Sequence, residues 1–297
     1  MMKIVCAGTI NRDVVEFSDG RRLESLGGLM YSLAAISLLA PESARIIPVS
    51  NIGDDIYDSA MDELSKFKQI DLGELRRCDC PNNAVYLYLQ EGRERDEHTD
   101  LNLPRIEYSQ FEPHLDSDAL MLNFTSGFEL DFVTARRVIE AFKGIVYMDI
   151  HSLTLGIDDN RHRIRRKIPE GLRWIDGVDL VQATEDEVWS LFDDDGREGG
   201  LDRAGKMAAD RCRKACLVTR GSRGVRVFTK GGIFDIEPVK IDKIIDTTGC
   251  GDVFGAAFLI KYLESGDIRA AAKYGNYVAA KKCLFSGIDD LGMLKLT

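Results

Sequence analysis

Segments typical of buried strands alternate with segments typical of helices along most of this chain of 297 residues. Strand-type runs such as KIVCAG (3–8) and IVYMDI (145–150) are separated by helix-type runs such as LMYSLAAISLLA (29–40) and DFVTARRVIEAF (131–142). Strands that are connected through helices pair in parallel, and the helices cover the sheet. The sequence therefore predicts an α/β fold with a mainly parallel sheet covered by helices on both faces.

Two early segments, residues 14–25 and 84–103, do not follow this alternation. The first reads as a hairpin with a turn at residues 18–20, and the second begins with AVYLYLQ (84–90) before a polar stretch. We interpret them as a small β-sheet that protrudes from the main domain as a lid. Because no repeat, linker or low-complexity segment divides the chain, residues 1–297 are expected to form one domain.

The lid segment AVYLYLQ has apolar or aromatic side chains on both of its faces. Val85, Leu87 and Leu89 alternate with Tyr86 and Tyr88. A small protruding sheet cannot be covered by the main domain on both faces, so one face is expected to close over a substrate and the other to meet a second copy. The pattern predicts a homodimer formed through the lid.

Charge and composition exclude several classes of partner. The formal net charge of −10 argues against nucleic-acid binding, and the basic cluster RHRIRRK (161–167) is interpreted as a solvated helix face. No apolar run approaches the roughly 20 residues that span a bilayer. The chain begins in a strand pattern without a signal peptide, and its seven cysteines have no metal-type spacing. These features predict a cytoplasmic protein that binds neither nucleic acid nor membranes.

The stretch IIDTTGCGDVFGAAFL (244–259) carries the strongest chemical signal. Gly249 and Gly251 let backbone N–H groups approach an anion, and the helix that follows adds partial positive charge at its N-terminus. Cys250 is interpreted as a small spacer between the glycines. Asp252 can cap the helix and also accept a proton from an attacking hydroxyl. An anion cradle beside a base predicts phosphoryl transfer to an alcohol.

This motif and several further segments, in the same order and spacing, resemble the ribokinase-like (PfkB-type) carbohydrate kinase family. DTTGCGD followed by an apolar helix is similar to the family's C-terminal signature. The other segments that carry the resemblance are AGTINRDVVEF, LGGLMYSLAAISLL, NIGDD (51–55), QEGRERD and VTRGSRGV (218–225). The resemblance covers the whole chain and implies a ribokinase-like fold with a β-sheet lid.

The resemblance also implies an activity and a set of site residues. The activity is ATP-dependent transfer of the γ-phosphoryl group to a hydroxyl of a small sugar or polyol. The implied cofactors are ATP and Mg²⁺, and a monovalent cation near Asp246 stays open. The implied residues are Asp252 as the base with Gly249, Cys250 and Gly251 as the anion hole; Asp13, Gly27, Gly28 and Ser32 at the acceptor; Thr219, Gly221 and Asn276 at the nucleotide; and Glu187 at the metal.

Two departures from the family pattern keep alternatives open. Thr184 and Ser32 stand where the family has Asn at the metal and at the acceptor, respectively. The acceptor could instead be a nucleoside whose base stacks on Tyr31 and Tyr86, although both rings could equally pack the lid. The remaining alternative is a ligand-binding family member without turnover.

Overall fold

The computed structural model describes residues 1–17, 19–89, 96–192 and 200–295 of the chain. The strands of the described residues, β1 to β15 in chain order, are Lys3–Ala7, Ile10–Phe17, Arg22–Gly28, Arg45–Gly53, Leu75–Cys78, Ala84–Leu89, Asp96–Asp100, Ala119–Asn123, Ile145–Asp149, Leu155–Ile157, Arg163–Arg165, Leu180–Thr184, Ala215–Thr219, Val225–Thr229 and Gly232–Ile236. The helices of the same part of the chain, α1 to α7, are Leu29–Leu39, Tyr57–Ser65, Phe132–Ala141, Glu185–Val188, Gly200–Arg211, Cys250–Ser265 and Ile268–Lys282.

The main sheet contains nine strands in the order β15-β14-β13-β12-β9-β8-β1-β4-β5. The seven strands β13, β12, β9, β8, β1, β4 and β5 of this sheet pair in parallel. Strands β14 and β15 add an antiparallel hairpin beside β13. Sequence neighbours along β1 face opposite sides: Ile4 and Cys6 join one apolar core, whereas Val5 and Ala7 join the other. The predicted mainly parallel sheet is confirmed.

Helices cover both faces of this sheet. Helices α1, α2, α6 and α7 contribute buried residues to the core that contains Ile4, and α3, α4 and α5 contribute to the core that contains Val5. Helix α6 packs against both α1 and α7, and these two helices position it on the sheet. No helix among the described residues has the length and apolar character that crossing a membrane requires.

A separate four-stranded sheet is formed by the two early segments, in the order β3-β2-β6-β7. Strands β2 and β3 form one antiparallel hairpin, β6 and β7 form another, and β2 pairs with β6 in parallel. The prediction of a small separate sheet is confirmed. Ser18 of the first turn and residues 90–95, which hold most of QEGRERD, lie outside the described residues.

Two segments differ from the sequence-based expectation. The cluster RHRIRRK contains strand β11, paired with β10, so the prediction of a solvated helix face is wrong. The Arg163 side chain is 4% exposed and donates to the carbonyl oxygen of Ser126 at 2.9 Å.

Helix α5 gave no clear apolar signal because its buried face consists of alanine and glycine, and a side chain at Gly205 would overlap the Phe228 ring.

Candidate active site

Polar residues at the carboxyl ends of three neighbouring strands of the main sheet lie near the N-terminus of α6. Asn123, Asp149 and Thr184 are the last residues of β8, β9 and β12. Asp252 lies in the first turn of α6. Ligands of open parallel sheets bind at the carboxyl ends of the strands, so this end of the sheet is the candidate active site.

The turn that precedes α6 has a backbone geometry that requires glycine. Gly249 caps the helix with φ of 76°, and a Cβ atom there would overlap the ring of Tyr31. The N–H of Cys250 donates to the carbonyl oxygen of Thr247 at 3.2 Å and closes the turn. The N–H groups of Gly249 and Gly251 have no acceptor among the described residues, whereas the N–H of Asp252 lies against its own carboxylate. Of the predicted anion hole, the two glycines therefore have N–H groups available to an anion, while the N–H of Cys250 is engaged in the turn.

Asp252 is held by a network of hydrogen bonds on its core side. The amide Nδ2 of Asn123 donates to Oδ1 of Asp252 at 2.6 Å and to Oγ of Ser32 at 2.9 Å. Burial raises the pKa of Asp252, and the nearby His151 and the Asn123 hydrogen bond oppose that rise. A carboxylate with a raised pKa is a better proton acceptor at neutral pH, which suits Asp252 to general-base chemistry.

A cluster of three titratable side chains lies beside Asp252. The ligand atoms of Asp149, His151 and Glu187 all lie within 4.8 Å of one another. Glu187 also forms a capping box with Thr184: Thr184 N–H donates to Glu187 Oε2 at 2.7 Å, and Glu187 N–H donates to Thr184 Oγ1 at 3.3 Å. The Thr184 hydroxyl is thus engaged in capping α4, which leaves Oε1 of Glu187 for the cluster.

The cluster is balanced by charge. Burial disfavours the charged form of His151, but the hydrogen bond and charge of Glu187 outweigh it and raise the pKa of His151 to about 10. About half of the His151 side chain is exposed, so water screens part of this attraction. Burial also raises the pKa of Asp149 well above its usual range, whereas the pairing with His151 outweighs burial and lowers that of Glu187. Two carboxylates at this spacing fit the oxygen preference of a Mg²⁺ ion.

A second set of residues lies where the four-stranded sheet joins α1. The carboxylate of Asp13 lies directly over Gly27, where a side chain would overlap it. Gly28 caps α1 with φ of 60° and packs against the carbonyl oxygen of Thr9. Asn11 is 4% exposed, and its Oδ1 has no hydrogen-bond partner among the described residues. An unpaired buried acceptor of this kind fits the hydroxyl of a bound ligand.

Ser32 does not lie at the surface of this second set. Its side chain is fully buried, and its hydroxyl accepts the Asn123 amide next to Asp252. Ser32 therefore supports the position of Asp252 and Asn123. Tyr31 is also buried, at 6% exposure, against the turn at Gly249, so its ring is not available for stacking on a base.

An open cleft of about 500 Å³ lies at the carboxyl ends of β12 and β13. Its described lining residues include Thr219 and Gly221 but not Asn276, which donates from α7 to the carbonyl oxygen of Glu237 at 2.9 Å. The lining residues in the part of the chain that the structure describes are Thr184, Glu185, Asp186, Trp189, Thr219, Arg220, Gly221 and Arg223. The cleft begins beside the Asp149 cluster, because its lining residues Glu185 and Asp186 directly precede Glu187 in α4.

Five residues of the site escaped sequence reasoning: Asn11, Asn123, Asp149, His151 and Gln182. The Nε2 of Gln182 donates to Oδ2 of Asp149 at 2.9 Å and to the carbonyl oxygen of Gly251 at 3.1 Å, which joins β12 to the anion-binding turn. A signal for Asn123 and Asp149 existed, since each is the polar residue that ends a buried strand. Which strands lie side by side could not be read from the chain.

Residues 157–290 match the family model described as pfkB family carbohydrate kinase. This match confirms the resemblance predicted from the motifs. Among curated proteins, an uncharacterized sugar kinase of Archaeoglobus fulgidus is 36% identical over 150 residues, which cover 49% of this chain and 52% of that protein. The cytidine kinase of Thermococcus kodakarensis is 24% identical over 93% of this chain and 94% of its own.

The chain spans about half the length, or less, of the first curated relatives it matches. Among solved structures, the ribokinase of Arabidopsis thaliana complexed with ribose and ATP superimposes with a TM-score of 0.79. It covers 100% of both chains at 18% sequence identity. That likeness confirms the ribokinase-like fold.

Proposed function

We propose that this chain, a member of the PfkB-type carbohydrate kinase family, is an ATP-dependent kinase that phosphorylates a hydroxyl of a small sugar or polyol. The observation that carries the proposal is Asp252, a half-buried carboxylate with a raised pKa in the first turn of α6, beside N–H groups suited to an anion. A base and an anion cradle on adjacent residues are the arrangement that phosphoryl transfer to an alcohol needs.

In this mechanism the acceptor binds between the four-stranded sheet and the carboxyl ends of the strands of the main sheet. Asp13 and the unpaired Oδ1 of Asn11 accept hydrogen bonds from its hydroxyl groups, and Gly27 and Gly28 allow the close approach. Asp252, held by Asn123, takes the proton of the attacking hydroxyl. The N–H groups at the start of α6 stabilise the charge on the transferred phosphoryl group.

The nucleotide is proposed to bind in the cleft beside Thr219 and Gly221, with its phosphates toward α6. The proposed role of Asn276 in nucleotide binding is indirect, because its side chain donates to the carbonyl oxygen of Glu237 and so holds that segment. Mg²⁺ would be held by the carboxylates of Asp149 and Glu187. When bound, it supplies positive charge that neutralises the phosphates of the nucleotide.

The small sheet is proposed to act as a lid that excludes water from the acceptor site, within one domain of residues 1–297. The seven cysteines are free thiols, which supports a reducing, cytoplasmic setting.

Replacement of Thr184 by Asn is expected to lower the Mg²⁺ concentration needed for half-maximal activity by about tenfold. Asparagine still caps α4 through its Oδ1, and its amide Nδ2 adds a donor next to Glu187 that can orient the metal-binding carboxylate or a water on the ion, which the capping hydroxyl of threonine does not supply. The measurement is a Mg²⁺ titration of the initial rate. Thr184→Ser keeps the hydroxyl cap and should behave as the wild type; an unchanged requirement in Thr184→Asn contradicts the proposed role of this position.

The protein is further proposed to be a homodimer through the four-stranded sheet. Leu23 of the edge strand β3 is 59% exposed, so its side chain is accessible to a second copy at the sheet through which the dimer is proposed. Light scattering at micromolar concentration should give a dimer for the wild type and a monomer with weaker acceptor binding for Leu23→Lys. Val133→Lys, at a 74% exposed valine of α3, is the control that should stay dimeric. A monomeric wild type would leave the lid as a single flap.

A nucleoside kinase is the second candidate function. It is favoured by the match to the cytidine kinase of Thermococcus kodakarensis along 93% of this chain. It is weakened by the burial of Tyr31, which removes one of the two aromatic rings suggested for base stacking.

The experiment that separates the two candidates measures ADP formation from ATP and Mg²⁺ with a panel of neutral sugars, inositols and nucleosides. A sugar or polyol that raises the rate about tenfold or more above ATP alone supports the proposal. A response to nucleosides only supports the second candidate. No response to any member, by a protein that binds ATP, contradicts both and favours a ligand-binding role without turnover.

A further inference from the structure

Lys282, the last residue of α7, has a side chain with 0% exposure. A lysine in the last turn of a helix normally extends into water, where its charge complements the helix dipole. Its neighbour Lys281 does so and remains partly exposed. A buried ammonium group is costly unless it is paired and hydrogen-bonded, so the position of Lys282 requires partners that compensate its charge.

The partners of Lys282 form a cage suited to a cation. Its Nζ donates to the carbonyl oxygen of Phe285 at 3.2 Å and lies 3.9 Å from Oδ2 of Asp246. The ring centroids of Phe285 and Tyr31 lie 5.2 and 5.7 Å from the same nitrogen, within the range of cation–π attraction. One carboxylate, one carbonyl oxygen and two aromatic faces thus surround the ammonium group.

This cage is connected to the turn that precedes the anion hole. Oδ1 of Asp246 accepts the N–H of Thr248 at 2.9 Å, and Oδ2 accepts the hydroxyl of Ser286 at 3.0 Å. The carbonyl oxygen of Cys283, the residue after Lys282, accepts the N–H of Ile245 at 2.7 Å. The segment 245–248 is therefore fastened to the end of α7 around the charge of Lys282.

The cage also contacts the anion hole through Tyr31. The ring that lies 5.7 Å from the Lys282 ammonium nitrogen also packs against Gly249. A shift of the Lys282 charge or of Asp246 would move this ring and the turn at Gly249, on which the N–H groups at the start of α6 depend.

The surroundings of Asp246 do not fit a monovalent cation in addition to Lys282. Such an ion binds carboxylate and carbonyl oxygens, and the ammonium group already lies beside the oxygens of Asp246 and Phe285. A second positive charge in the same buried space would be repelled, because like charges interact strongly where water is excluded.

We propose that the ammonium group of Lys282 takes the place of a bound monovalent cation beside Asp246 and positions the anion-hole turn of residues 246–249. Lys282 is a positioning residue, since it acts through Asp246, Tyr31 and the turn. The catalytic part of this inference rests on the proposed kinase function, whereas the cation-site part does not.

The test uses the full-length protein in chloride salts of tetramethylammonium, sodium, potassium, ammonium and methylammonium at equal ionic strength. Thermal unfolding of the wild type should be the same in all of them. Lys282→Ala, which opens the space of the side chain, should unfold about 5 °C lower or more in tetramethylammonium and recover in potassium, ammonium or methylammonium. Lys282→Met, which fills that space without charge, should not recover, and Lys281→Met is the control that should match the wild type.

The rate of ADP formation in the same salts provides the second reading. The wild-type rate should not depend on the cation, and the rate of Lys282→Ala should rise about tenfold with potassium or methylammonium. A wild-type unfolding temperature or rate that rises with potassium relative to tetramethylammonium overturns the proposal. So does a Lys282→Ala variant that behaves as Lys281→Met in every salt. The salt dependence of wild-type unfolding shows whether a monovalent cation binds beside Asp246, even if the variants do not fold or no acceptor is found.

Discussion

Replacement of Asp252 by Asn is expected to lower turnover by about 10²–10⁴, with the fold retained. The asparagine keeps an Oδ1 that can accept the hydrogen bond of Asn123, and it stays in the first turn of α6, so the local structure has no reason to change. It cannot accept a proton, so the base is lost. The measurement is the initial rate at saturating ATP and acceptor.

Nucleotide binding and thermal unfolding of the Asp252→Asn variant provide the control. Both should be close to those of the wild type, because the substitution keeps the shape of the side chain and the hydrogen bond from Asn123. A variant that keeps near-normal turnover would reduce Asp252 to a helix cap.

Replacement of Gly249 by Ala is expected to lower the free energy of unfolding by about 2 kcal/mol or more and to abolish most activity. The backbone of residue 249 has φ of 76°, a region that costs an L-residue roughly 1–2 kcal/mol. The added Cβ would also overlap the ring of Tyr31, which is buried and cannot move aside easily. The measurement is urea-induced unfolding, followed by the initial rate.

Gly251→Ala is the matched control two residues further along the chain. The nearest atom to its added Cβ is Nε2 of Gln182 at 3.6 Å, an ordinary contact. Gly251 lies inside α6, where alanine is favoured over glycine by roughly 0.5–1 kcal/mol, so the stability of this variant should be unchanged or higher. Equal losses of stability in the two variants would contradict the proposed difference between the two glycines.

Periodicity in the sequence accounts for most of the fold. Buried strands such as β8 and β9 are almost wholly apolar, and β8 is followed by a capped helix, so a parallel orientation follows from local pattern. Helix α5 could not be predicted in the same way, because small residues such as Ala204 and Ala208 form its buried face and give only a weak apolar periodicity.

The candidate site could be predicted only where it is contiguous in the chain. The turn around Gly249 and Asp252 is one such stretch, since its glycines and carboxylate are adjacent in sequence. Asn123 and Asp149 reach the same place from other strands, and their proximity depends on the order of those strands in the sheet. The buried charge of Lys282 also depends on tertiary packing, because its helical position alone predicts exposure.

Phosphoryl transfer can be followed directly by phosphorus NMR with ATP, Mg²⁺ and the acceptor that the panel identifies. For the wild type we expect the γ-phosphoryl signal to disappear as a phosphomonoester signal of the acceptor appears in equal amount. For Asp252→Asn, at the same occupancy of ATP, we expect almost none of that product. Hydrolysis of ATP to inorganic phosphate without a phosphorylated acceptor, or equal product from both proteins, would contradict a kinase that uses Asp252 as its base.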